Sequence, residues 1–202
     1  FSPSAGQGIV RPANPLEAWK RVVTGIATFI EDASRGLPFD SFGALQLADV
    51  VVSEAHRPGR RLMGVTGRFD GIESLAAQAA NAAFSAAAMA LDLGLSPSRI
   101  RDVAHLAVST SVGMIQVYPL AFSNPDQLST EERSLLRQTP VSVIRDALSE
   151  AEAGPAVWRR MVLGYELSSE MSRGLDESLG RGDLLQLAPS VPTRLVFAAV
   201  AW

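Results

Sequence analysis

The sequence predicts an all-α fold, a bundle of about seven helices. Three observations carry this. Apolar residues recur at helical spacing, most clearly at Leu16, Trp19, Val22, Val23, Ile26, Phe29 and Ile30. No alternating apolar–polar runs are joined by a hairpin signal, and no internal repeat is present. Between Leu75 and Met89, ten of fifteen residues are Ala or Ser. That composition lets neighbouring helices approach closely on more than one side, as a central helix requires.

Residues 1–13 are rich in Gly, Pro and Ser without periodicity and read as an arm; residues 14–202 read as one helical domain. Asn14-Pro15 supplies an N-cap and a first-turn proline for the first helix, which Gly36 ends. A second helix is expected from Asp40 to Glu54, with Phe42, Leu45, Val51 and Val52 buried. The connector from His56 to Arg68 carries Arg57, Arg60, Arg61 and Arg68 and is the one locally basic stretch. Gly71–Leu93 forms the Ala-rich third helix. Ser96-Pro97 opens the fourth, with Ile100, Val103, Leu106 and Ala107 on one face. A loop over Gln116–Gln127 leads to a capping box, Ser129 with Glu132. Helices follow near Thr130–Gln138, Val141–Ala151 and Pro155–Met171, then a Gly- and Ser-rich connector over Gly174–Pro192 and a final apolar run, Thr193–Trp202.

Composition narrows the function. The chain has 202 residues, 47% hydrophobic and 19% charged, which suits a folded domain. A net charge of −3 provides no global attraction to nucleic acid or anionic membrane. The absence of cysteine excludes disulfides, zinc–thiolate sites and thiol catalysis. The most apolar run, Ala76–Leu95, is interrupted by Gln78, Asn81 and Asp92, so no membrane insertion is expected and a cytoplasmic location is. Phe1 in place of Met, and the abrupt stop at Trp202, suggest processing or a longer parent chain.

The block from Asp102 to Ala147 carries a family resemblance. It contains Val112-Gly113, a Pro-containing loop, Leu128-Ser129-Thr130-Glu131-Glu132, and Thr139-Pro140 at a helix start. This cadence resembles the HD-GYP family, the bacterial metal-dependent phosphodiesterases of cyclic di-GMP. The resemblance implies an HD-domain-like helical bundle, but the ligating residues differ. Thr110-Ser111 stands where the His-Asp pair belongs, Met114 where a Lys is usual, and Thr139 where a His is usual. In the Ala-rich helix, matching Asn81 to the family's His-Ser-x-Asn pattern puts Gln78 at the His and Ala79 at the Ser. Further on, Val157–Glu166 resembles the helix leading to two adjacent His and a Glu; here Gly164 and Tyr165 precede Glu166. The Gly-Tyr-Pro signature does not follow. About two thirds of the chain is covered by the resemblance.

An iron or manganese centre of that family needs imidazoles and carboxylates around a hydroxide nucleophile, and neutral Gln, Thr and Ser bind such metals poorly. The chain has only two histidines. His56 reads as a solvated loop residue. His105 shares a helical face with Asp102, three residues earlier, either as a catalytic or metal-orienting pair or as a structural one. No nucleophile-elbow motif supports a Ser-His-Asp triad. The arginines of 57–68 read as a solvated loop, with phosphate or an acidic partner as the alternative. Glu131, Glu132 and Arg133 read as a helix start. Trp19 reads as core, and Trp158 as either core or surface.

The resulting expectation is a pseudoenzyme with a degenerate former metal site at Gln78, Thr110, Ser111 and Thr139, binding no metal or cofactor. It would act through a protein partner or larger assembly, with Met114, Ile115, Val117 and Tyr118 as candidate interface residues. Two alternatives remain. One is a non-hydrolysing cyclic-dinucleotide sensor; the other is a divergent metal-dependent phosphodiesterase.

Overall fold

The computed structural model describes residues 14–37, 39–57, 71–113, 129–131, 157, 160, 162–167 and 190–200. Among these residues there is no strand, and the protein is all-α. Five helices have defined bounds: α1 (Pro15–Ser34), α2 (Ser41–Ala55), α3 (Gly71–Asp92), α4 (Pro97–Gly113) and α5 (Val191–Val200). Residues 130–131, 157, 160 and 162–167 are also helical. No helix among the described residues is long and apolar enough to cross a membrane.

Local chemistry sets the helix ends. The Asn14 side chain accepts from the Glu17 amide at 2.8 Å and Pro15 opens α1. Asp40 caps α2 in the same way, accepting from the Gly43 amide at 2.8 Å. α1 and α3 end alike. Gly36 (φ 73°) and Gly94 (φ 69°) take the left-handed conformation. The following amides, Leu37 and Leu95, then reach back to the carbonyls of Asp32 and Ala90.

α1 and α2 form one helical hairpin and α3 and α4 another. Gly25 permits the first to close: a Cβ there would sit 2.6 Å from Cδ1 of Leu47. α3 and α4 pack on each other and on every other named helix, whereas α5 lies against α3 and α4. The alanines of α3 are largely buried, from Ala76 to Ala90, as their density predicts. Trp19 is core as expected, and its indole Nε1 donates to Asn81 Oδ1 at 2.9 Å.

Three expectations need correction. Phe42, expected in the core, is 67% exposed. The buried face of α2 runs through Ala44, Ala48, Val51 and Ala55, and residue 42 projects from the opposite side of the turn. The fourth helix was expected to bury one face. Instead every residue from Asp102 to Thr110 is buried, because α4 is surrounded by α1, α2, α3 and α5. Val191 and Pro192, read as the end of the Gly- and Ser-rich connecting sequence, instead form the first residues of α5.

Candidate functional site

The expected site centres on the end of α4 and the facing part of α3. Thr110 and Ser111 both lie in the last turns of α4. Thr110 is fully buried, and its hydroxyl donates to the carbonyl of Leu106, one turn back, at 2.7 Å. Gln78 lies on α3 with its side chain exposed, between the buried Ala77 and Ala79. Thr110 thus points into the bundle and Gln78 out of it. Thr139, Met114, Ile115, Val117 and Tyr118 lie outside the described residues, as do Arg60, Arg61 and Arg68.

Asn81, matched to the family's Asn, is committed to the Trp19 indole. Glu166, matched to the family's late Glu, joins two helical segments. Its Oε2 accepts from the Ser190 amide (3.2 Å), the Ser190 hydroxyl (2.5 Å) and the Thr193 hydroxyl (2.6 Å). These donors surround the first turn of α5, where unpaired amides and the helix dipole favour a carboxylate. The start of α5 is thereby tied to the helical segment that holds Glu166. The Ser190-x-x-Thr193 spacing was the available sequence signal.

The two histidines have opposite settings. His56 follows the last residue of α2, exposed, with Nδ1–H donating to the Val52 carbonyl at 2.8 Å. It terminates a helix. His105 lies on α4 at 3% exposure. Burial, reinforced by the Arg160 and Arg101 guanidiniums, pushes its pKa down to about 3, so the imidazole is neutral near pH 7. Asp102 and Ser109 are buried on the same helix, at 6% and 0% exposure. Neither Nε2 of His105 nor Oγ of Ser109 has a hydrogen-bond partner. The residues of a Ser-His-Asp relay are therefore close in sequence and all buried, but the Ser–His bond that would activate a nucleophile is not made.

Two polar pairs had no sequence signal. Arg101 grips Asp49 through Nε–Oδ1 (2.6 Å) and Nη2–Oδ2 (2.7 Å), tying α4 to α2. Glu54, whose side chain is almost completely enclosed, lies 3.0 Å from Arg57 Nη2. The approach is close enough for an ion pair, although the Glu54 oxygens are not aligned for a hydrogen bond. Among the described residues, no three His, Asp or Glu side chains cluster as a metal ion would require. Compared with protein-family models, curated proteins and solved structures, the chain matches none.

Proposed function

We propose that the chain is a degenerate HD-GYP-like helical domain that acts by association, as a scaffold, regulatory partner or subunit of a larger assembly. The use of the two histidines carries this reading. One ends a helix at the surface, and the other is a neutral core residue on α4. Neither occupies the positions that the family gives to metal ligands, which hold Gln78, Thr110, Ser111 and Thr139. Thr110 already spends its hydroxyl on its own helix. A scaffold that keeps its packing without its ligand set is suited to presenting a surface. Met114, Ile115, Val117 and Tyr118, immediately after α4, supply apolar anchors of the kind an interface uses.

Size-exclusion chromatography with light scattering, combined with affinity capture from the native source, tests this proposal. The expected result is a stable oligomer or a recovered partner, weakened by Tyr118→Ser with the helical content unchanged. A monomer that captures nothing and binds cyclic di-GMP tightly without cleaving it would transfer the assignment to the sensor. Iron- or manganese-dependent cleavage of cyclic di-GMP would establish the phosphodiesterase instead.

A further inference from the structure

α4 carries two enclosed polar atoms that the fold leaves without a protein partner, Nε2 of His105 and Oγ of Ser109. The residues are four apart, so their side chains leave successive turns of the same face, with Cβ atoms about 5–6 Å apart. Both are sealed from solvent, at 3% and 0% exposure. Thr110, adjacent to Ser109, shows the usual alternative: its hydroxyl bends back to the carbonyl one turn earlier. Ser109 does not do this, and its hydroxyl remains available.

We propose that this face of α4 binds one small neutral molecule, a water, held between Nε2 of His105 and Oγ of Ser109. The chemistry selects the guest. A neutral imidazole offers one N–H and one lone pair, and a serine hydroxyl offers a donor and two acceptors. A guest joining them needs both a donor and an acceptor but no charge. A metal cation would find a single imidazole. The nearby Arg101 is already engaged by the Asp49 carboxylate through two hydrogen-bond-length contacts. Buried waters characteristically occupy such places, where polar groups on an interior helix would otherwise go unpaired. Such a water lies in the interior and is independent of whether the domain associates.

The test uses opposite signs. If the hydroxyl is truly alone, Ser109→Ala removes an unpaired polar atom and leaves Tm unchanged or raised. If it holds a water, the same change strands the water and Nε2, and Tm falls by about 2–6 °C. The second readout is NMR of the full-length wild-type protein. A long-lived water should give cross-peaks to the His105 ring and the Ser109 amide, and these should vanish in Ser109→Ala. A raised or unchanged Tm in the variant overturns the proposal. So does an absence of water cross-peaks at those two residues in wild type when other interior protons are observed, and this second result stands even if the variant does not fold.

Discussion

The indole Nε1 of Trp19 and the side-chain oxygen of Asn81 meet at 2.9 Å, joining α1 to α3 by a hydrogen bond between residues distant in the chain. Trp19 is buried and Asn81 partly buried, so breaking the bond leaves a desolvated donor. Asn81→Ala should cost about 1–3 kcal/mol in denaturant unfolding. In a double-mutant cycle with Trp19→Phe, the two losses should fall short of additivity by at least about 0.5 kcal/mol. Additive losses would mean that the bond contributes nothing to stability.

Glu166 supports α5 from outside that helix. Glu166→Ala removes the shared acceptor of Ser190 and Thr193 and should destabilise the protein by about 1–3 kcal/mol. Hydrogen exchange at the α5 amides should accelerate more than at α2, which Asp40 caps separately. Equal acceleration in both helices would show that Glu166 acts globally.

At Gly25 the α1–α2 hairpin has no room for a side chain. A methyl group there meets Leu47 at 2.6 Å, and although Leu47 is the side that must give way, it is itself packed in the core. Gly25→Ala should lose about 1–3 kcal/mol in chemical denaturation despite alanine's better helix propensity. The companion change Leu47→Ala should make Gly25→Ala markedly less harmful. Failure of that rescue would place the clash elsewhere.

His105 should make the fold acid-sensitive. Its folded pKa is depressed to about 3 from an ordinary 6.5, so between those values the unfolded chain binds the proton and the folded one resists it. The stabilising contribution is complete above pH 6.5 and declines as pH falls towards 3, by an amount on the order of 3–5 kcal/mol. Denaturant midpoints measured from pH 7.5 to 4 should decline less steeply for His105→Gln than for wild type. Parallel profiles would show that other groups govern the acid response.

Helix existence was legible in the sequence because its signals are local. Asn14-Pro15, Ser96-Pro97 and the left-handed Gly36 act within a turn, and apolar spacing needs only one helix to be recognised. The buried Trp19 and the alanines of α3 were readable for the same reason. What failed was non-local. Phe42 looks like core until the neighbours of α2 fix which side faces inward. The sequence left the Asp102–His105 pair open between a catalytic and a structural role, and only the fold shows that four helices enclose it together with Ser109 and Thr110. The candidate site divides along the same line. The residue types at 78, 110 and 111 are plain in the sequence, while the commitment of Asn81 to Trp19 and of Glu166 to α5 required the fold.

The enclosure of α3 and α4 by α5 has a consequence for synthesis of the chain. The two hairpins form from near neighbours in sequence, but Val191 leaves the ribosome long after Gly113. Until then the sides of α3 and α4 that receive Leu195 and Val196 lack that cover. A nascent chain at that stage has α1 to α4 and an apolar wall without the cover of α5, which is the kind of surface that chaperones hold and that drives aggregation. Ribosome stalling before Ser190 should therefore yield a chaperone-bound species, and release of that species should coincide with the arrival of α5.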